Sequence, residues 1–303
     1  MPCGLAWLCS KSMRHLEKLE KYEGIGNDFL IALVDEDPAE LNPSWIVALL
    51  DRHRGMGADG LIVSRVLENS DVLTVSMLLY NADGSRAEMS GNGIRCLAHA
   101  VFRAGWAKPT SLRVDTDAGL KTVTVVEGDP SSEMALEVDM GEVSYRSRAF
   151  VKRADFSGEP YLGTDLDVGN PHLVFLPASL VEKGSGWGDI DDLDLSELGP
   201  AIESSYPQGT NIEWLSVDAD NSRARMRVWE RGAGITMACG TGSTAAAFLL
   251  LDQKIIDDEV EIVNPGGVLR LRRGGDGTTM MLTGPSRFLG SVVPAGHLAP
   301  DQF

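Results

Sequence analysis

The sequence predicts a mixed α/β chain built from two homologous, pseudo-symmetric halves. Three observations carry that expectation. Strand-like and helix-like hydrophobic periods alternate in two passes along the 303 residues. A small residue, then Gly-x-Gly and an apolar run, occurs twice, as Ser90-Gly91-Asn92-Gly93 and as Cys239-Gly240-Thr241-Gly242. Gly26-Asn27 and Gly169-Asn170 recur 143 positions apart, close to the 149 that separate Ser90 from Cys239. Either match alone is weak among 33 glycines, but two at nearly one offset argue for duplication.

In the first pass, 16–22 and 28–35 read as strands, and 43–52 as a helix. Residues 60–66 and 73–80 read as strands, and 91–105 as a helix opened by Gly-Asn-Gly. Residues 111–116, 119–127 and 133–140 are strands, with Glu127-Gly128-Asp129-Pro130 as a turn before the last. The second pass gives strands at 147–153 and 172–176, a helix at 194–204, and strands at 210–217 and 223–229. A helix at 240–252 opens on Gly-Thr-Gly, and strands follow at 259–263, 267–272, 278–283 and 286–293. Strands follow strands too often for a βαβ dinucleotide-binding sheet. The boundary falls near Gly141–Ser144, giving domains at 16–143 and 144–283. Residues 1–15 are expected to be a disordered extension, with Met13 as a second possible start.

Composition narrows the partners. Forty-four acids against 27 bases give a net charge of −17, which repels phosphate backbones and anionic lipid. Nucleic acid and membrane are therefore not expected, and no apolar run approaches the ~18 residues of a span. The opening M-P-C-G-L-A-W-L-C-S-K-S-M-R-H lacks the basic and long apolar regions of a signal peptide. The cysteines, Cys3, Cys9, Cys96 and Cys239, have no C-x-x-C spacing, so neither a disulfide framework nor a zinc site is expected. A reducing cytoplasm fits them.

A Gly-x-Gly at a helix start presents free N–H groups at the positive end of the helix dipole, a nest suited to a carboxylate. A cysteine at the N-cap is expected to have its pKa, ~8.5 when free, drawn toward neutrality, so that it serves as acid and base. Two such sites facing one carbon would remove a proton from one side and deliver one from the other. Helix N-termini would hold the developing charge, with no metal or pyridoxal cofactor required. The competing explanations are a plain tight turn and a buried structural thiol. Cys96, in the body of the first such helix, is assigned to packing.

Eight motifs then carry a likeness to a known family. They are G-I-G-N-D-F (24–29), G-A-D-G-L (57–61), N-A-D-G-S (81–85), S-G-N-G-I-R-C (90–96), G-N-P-H (169–172), G-T-N-I-E (209–213), E-R-G-A-G-I-T-M-A-C-G-T-G (230–242) and L-T-G-P (282–285). From about Lys18 to Val293 the chain resembles the diaminopimelate epimerases, in the superfamily of cofactor-independent amino-acid racemases. The resemblance implies two α/β domains, each a sheet wrapped around a central helix, with the active site in the cleft between them. It implies that the strand at 284–296 returns to the first domain and that the protein is a homodimer. The implied reaction interconverts LL- and meso-diaminopimelate for lysine and peptidoglycan synthesis. By position, Cys239 becomes a catalytic acid/base, and His172 and Glu230 tune the catalytic pair. Asn27, Asn81, Asn170, Asn211 and Glu230 contact substrate. Gly91 with Asn92, and Gly240 with Thr241, supply N–H groups to a carboxylate. Arg231 pairs with the distal carboxylate.

Ser90 departs from the family pattern, which has cysteine there. An alcohol is a much weaker acid, and each pKa unit is about 1.4 kcal/mol. Three explanations stand: a proton relay through Ser90 with His172 or Glu230, altered chemistry such as racemisation or dehydration of another amino acid, or an impaired enzyme. The intact motifs around Ser90 favour a working epimerase. A non-catalytic amino-acid-binding relative and a Cys239 hydrolase are the alternatives outside the family reaction, and the hydrolase leaves the duplicated nest unexplained.

Overall fold

The computed structural model describes residues 16, 18–36, 41–147, 152–156, 159–178, 190–218 and 223–298. The expected extension at 1–15 and part of the expected strand at 147–153 lie outside them. The chain forms two compact units: the described residues up to Glu137 together with those from Pro285 onward, and Val138–Gly284. The change of unit falls inside a strand, ahead of the expected 143/144 boundary.

The first ten strands are β1 (Leu19–Gly24), β2 (Asn27–Leu33), β3 (Gly60–Ser64), β4 (Val66–Glu68), β5 (Thr74–Ser76), β6 (Leu78–Asn81), β7 (Arg86–Ala87), β8 (Ser111–Thr116), β9 (Gly119–Gly128) and β10 (Glu133–Glu142). Helix α1 (Pro43–Leu50) follows β2, and α2 (Gly91–Arg103) follows β7. The next strands are β11 (Ser144–Tyr145), β12 (Lys152–Phe156), β13 (Glu159–Asp167), β14 (Pro171–Pro177), β15 (Asn211–Val217), β16 (Arg223–Glu230), β17 (Gly234–Ile235), β18 (Glu259–Asn264), β19 (Gly267–Arg273) and β20 (Thr279–Val292). Helix α3 (Leu195–Glu203) precedes β15, and α4 (Gly240–Asp252) follows β17.

Three differences from the sequence reading have local causes. The expected strand 73–80 is two strands, because β5 pairs in parallel with β8 whereas β6 pairs antiparallel with β3. The expected break at Gly284-Pro285 is absent, and β20 runs through it. Its ladder with β19 ends at Thr283 and its ladder with β1 starts at Arg287, so the proline sits between the two. Strand β13 escapes the pattern because Gly163 interrupts it. A β-carbon there would lie 2.8 Å from Cε1 of Phe175, on the neighbouring β14.

The duplication is visible in the backbone. Gly26 and Gly169 both take positive φ, 83° and 93°, and each is followed by the asparagine that opens the next strand or its approach. Gly57 and Gly209 match likewise, at 70° and 69°. The strands that follow pair in parallel in both halves, with Phe29 opposite Gly60 in β2–β3 and His172 opposite Asn211 in β14–β15. Each second strand then pairs antiparallel with a third, β3 with β6 and β15 with β16.

Each unit is a sheet folded around one helix. All residues of α2 from Gly91 to Phe102, and of α4 from Gly240 to Leu251, are buried. A helix buried on every side belongs to a core. Helix α4 achieves this with Ala, Phe and Leu. Helix α2 carries Arg95 and His99 inward, and both are satisfied. Arg95 donates to Gly91 O, Asn92 Oδ1 and Pro285 O. His99 lies 3.0 Å from Ser286 Oγ and 3.1 Å from Pro130 O. Further packing comes from Trp45, Ile46 and Leu49 against Leu30, Leu61 and Val63 in one unit, and from Leu195 and Ile202 against Phe175, Ile212 and Trp214 in the other. No helix among the described residues is long and apolar enough to cross a membrane.

Candidate active site

The two Gly-x-Gly motifs form the same object. Ser90 caps α2 at φ −135°, ψ 124°, and its Oγ accepts a hydrogen bond from Gly93 N at 3.0 Å. Cys239 caps α4 at φ −125°, ψ 114°, and its Sγ accepts from Gly242 N at 3.3 Å. In both, the cap carbonyl takes the N–H of the fourth residue on, Ile94 or Ser243, at 2.9 Å. The intervening amides, Gly91 and Asn92 or Gly240 and Thr241, have no acceptor within their helix. Extended cap geometry aims each side chain along the helix axis, so oxygen and sulfur occupy matching places.

Around Cys239 the second unit gathers most of the expected residues. His172, on β14, lies 2.7 Å from Glu213 Oε1 through Nδ1 and 3.0 Å from Asn170 Oδ1 through Nε2. Asn170 Nδ2 donates to Thr241 Oγ1 at 3.5 Å, and that hydroxyl lies 3.5 Å from Cys239 Sγ. Glu230, at the end of β16, accepts from Thr236 Oγ1. Burial pushes the Glu230 carboxyl up, against the hydrogen bonds it receives from Thr236 and Cys239. Asn211 donates to Pro171 O at 2.9 Å and accepts from Arg231 N at 3.0 Å, which fixes the loop carrying Arg231. The Arg231 guanidinium is exposed and donates to Gln208 O at 3.4 Å, and no carboxylate among the described residues forms a salt bridge with it.

The first unit arranges a smaller set. Asn27 donates to Asp59 Oδ2 at 2.7 Å and accepts from Asn92 Nδ2 at 3.3 Å. Arg52 braces Asp59 from behind at 2.6 Å. Asn92 is buried, so it offers its backbone N–H at the helix start while its side chain is tied to Asn27 and Arg95. Asn81 is exposed at the end of β6 and donates to Ser85 Oγ at 3.0 Å. It is not bonded to the Asn27–Asn92 pair, but it lies opposite Gly60 in the β3–β6 ladder. Cys96 is buried beside Gly24 and Arg95, with its thiol pushed up to about 12 by burial, as a packing residue requires.

One expectation is corrected. A thiol at a helix N-cap was expected to be acidic, but Cys239 is held well above the ordinary thiol range. Burial contributes most, followed by the Glu230 and Glu213 carboxylates, and together they outweigh the Gly242 N–H and the Thr241 hydroxyl. The helix dipole acts on a group taken out of water between two acids, and desolvation wins.

Sequence reading missed Glu213, Asp59 and Thr236. Glu213 and Asp59 lie within motifs that drew attention for other residues, at the β3 and β15 turns opened by Gly57 and Gly209. The glycine opening each of those motifs was the available signal. Thr236 carried none.

The family profile described as diaminopimelate epimerase matches residues 20–146 and 166–289. The diaminopimelate epimerase of Corynebacterium glutamicum is 36% identical over 272 residues, covering 87% of this chain and 92% of its own. That of Pseudomonas fluorescens is 34% identical over 282 residues, covering 89% and 96%. Among solved structures, a hydroxyproline epimerase from Agrobacterium vitis shares the fold with TM-score 0.65 at 15% identity, over 91% of this chain and 90% of that one. A Bacillus anthracis phenazine biosynthesis protein does so with TM-score 0.60 at 13% identity, over 91% and 97%. With sequence likeness running through both units and both capped helices, the chain belongs to the diaminopimelate epimerase family, whose members are isomerases.

Proposed function

We propose that this protein converts LL-diaminopimelate to meso-diaminopimelate by moving protons at one α-carbon, with Cys239 and Ser90 on its opposite faces. The observation that carries this reading is the matched pair of caps, with side-chain atoms in the same place and, beside each, two amides that have no acceptor within their helix. Gly91 with Asn92, and Gly240 with Thr241, receive the α-carboxylate, and their N–H groups take up charge as the carbanion forms. Asn27, Asn81, Asn170 and Asn211 orient the substrate. Arg231 holds the distal carboxylate, a use that suits an exposed guanidinium that donates to Gln208 O.

The acid and the base are unequal. Cys239 is buried, and as thiolate it removes the α-proton; Glu230 beside it sets how much thiolate is present. Ser90 is half-buried, so water reaches it. Its hydroxyl gives a proton to the carbanion while taking one from water, which spares the enzyme a free alkoxide. The hydroxide so formed recovers the proton from the Cys239 thiol, and in the reverse direction hydroxide takes the α-proton through Ser90 while that thiol supplies one. No step calls for a metal or an organic cofactor. The protein works as a homodimer in the cytoplasm.

The test is solvent labelling. In deuterium oxide, LL-diaminopimelate is expected to yield the meso isomer carrying deuterium at one α-carbon, read by mass spectrometry and chiral chromatography. Unlabelled substrate after long incubation, or label entering only a different amino acid, contradicts the reading.

A further inference from the structure

The two matched caps rest on different floors. Gly93 and Gly242 are the third helical residues of α2 and α4. A β-carbon on Gly93 would meet Ile62 Cδ1 at 3.1 Å and Met77 Cε at 3.3 Å. One on Gly242 would meet Glu213 Oε1 at 2.5 Å, with Cγ and Cδ of the same residue at 3.1 Å. Sheet register makes Ile62 and Glu213 counterparts. Each lies two residues beyond the partner of the strand in front, Gly60 opposite Phe29 and Asn211 opposite His172. Phe29 and His172 are in turn each third after their positive-φ glycine. The serine half thus carries Phe29 and Ile62 at the register positions where the cysteine half carries His172 and Glu213.

That substitution of an apolar pair by an ionisable one has a consequence fixed by hydrogen bonding. His172 and Glu213 are both wholly buried. Asn170 presents its Oδ1 to Nε2 of His172, since its Nδ2 is used toward Thr241. An oxygen acceptor there requires Nε2 to carry hydrogen. Nδ1 therefore has two options: it accepts a hydrogen from a protonated Glu213 Oε1, or it is protonated and donates to the Glu213 carboxylate. Either way a hydrogen lies between Nδ1 and Oε1 while Nε2 carries its own. Among the described residues the other carboxyl oxygen, Oε2, is buried without a hydrogen-bond partner, and the Oε1 contact to His172 is the polar tie that holds this side chain.

We propose that Glu213 is a positioning residue for the Cys239 half of the site. Acting through His172, it locks the imidazole in the Nε2–H form and thereby sets the Asn170 amide, whose far end reaches the Thr241 hydroxyl that lies beside Cys239. This rests on the epimerase reading for its kinetic arm only. A buried group that fixes an imidazole tautomer has large leverage on chemistry it never touches.

The experiment compares native protein with Glu213→Gln and Glu213→Leu, using ¹⁵N-histidine NMR and epimerase kinetics on LL-diaminopimelate. Native His172 is expected to show hydrogen on Nε2. Glu213→Leu is expected to let both tautomers appear. Its kcat should fall about 10- to 100-fold, the range typical for lost orienting partners, and its KM should rise as Asn170 loses its orientation. Glu213→Gln keeps a hydrogen bond to Nδ1, so kcat should stay within about tenfold of native. A native His172 with hydrogen on Nδ1 alone overturns the proposal, as does a folded Glu213→Leu that turns over like native. A Glu213→Gln as impaired as Glu213→Leu also overturns it, since charge rather than orientation would then be the residue's role. Should native protein show no epimerase activity, the NMR arm still decides the tautomer lock, while the failure falls on the reaction assignment.

Discussion

Cys239→Ala is expected to lower kcat at least 10³-fold while the protein keeps its fold and still binds diaminopimelate. Cys239 is the only group in the α4 cap able to take a proton from carbon, and a positioned acid/base contributes roughly 10²–10⁴. Loss of the sulfur also removes the acceptor for Gly242 N, a cap bond worth about 1 kcal/mol, which a 303-residue protein tolerates. Binding persists because the Gly240 and Thr241 amides and Arg231 remain. Native enzyme should in addition become faster as pH rises. The folded thiol is held above its ordinary range, so thiolate is scarce at pH 7, and kcat/KM should climb about tenfold per unit toward pH 9. Steady-state kinetics with both isomers, beside calorimetric binding, checks all of this. Full activity in Cys239→Ala would remove the thiol from the reaction.

Ser90→Cys is expected to raise kcat by about 10- to 100-fold. The native hydroxyl occupies the same cap geometry as Cys239 but is a far weaker acid than a thiol, and in the proposed mechanism it draws on water. A thiol in that place becomes an acid in its own right, and where the Cys239 cap has Glu213 against Gly242, this cap has the apolar Ile62 and Met77 against Gly93. The added atom is larger, but Ser90 is not enclosed, so overpacking costs about 1 kcal/mol at most. Ser90→Ala should go the other way, losing about 10²-fold in kcat with KM little changed. A Ser90→Cys enzyme slower than native would mean that the relay needs an alcohol and that the water-fed route is finely set. Equal activity in Ser90→Ala would remove Ser90 from catalysis.

Much of this architecture is written in the sequence. Glycines that need positive φ recur at matched places, Gly26 with Gly169, and the helix starts at Gly91 and Gly240 follow from small residues that only a cap explains. The order of strands and helices in each half was legible for the same reason, since period and punctuation are local. What escaped depends on distant neighbours. Strand β13 hides behind Gly163, which is small because Phe175 packs over it. Strand β20 crosses Gly284-Pro285 because its partners change there. Glu213 is one acid among 44, and only its place under Gly242 and against His172 distinguishes it. The state of Cys239 was misjudged because a helix start is visible in sequence, whereas the burial and the two acids that oppose it are not.

The claim on which the rest depends is that Ser90 and Cys239 address one carbon from opposite sides. A crystal structure of the enzyme with bound diaminopimelate tests it directly. The expected result is an α-carbon between Ser90 Oγ and Cys239 Sγ, each about 3.5 Å away, with the carboxylate on the Gly91, Asn92, Gly240 and Thr241 amides. A substrate lying against Cys239 alone, with Ser90 turned to another surface, would contradict it.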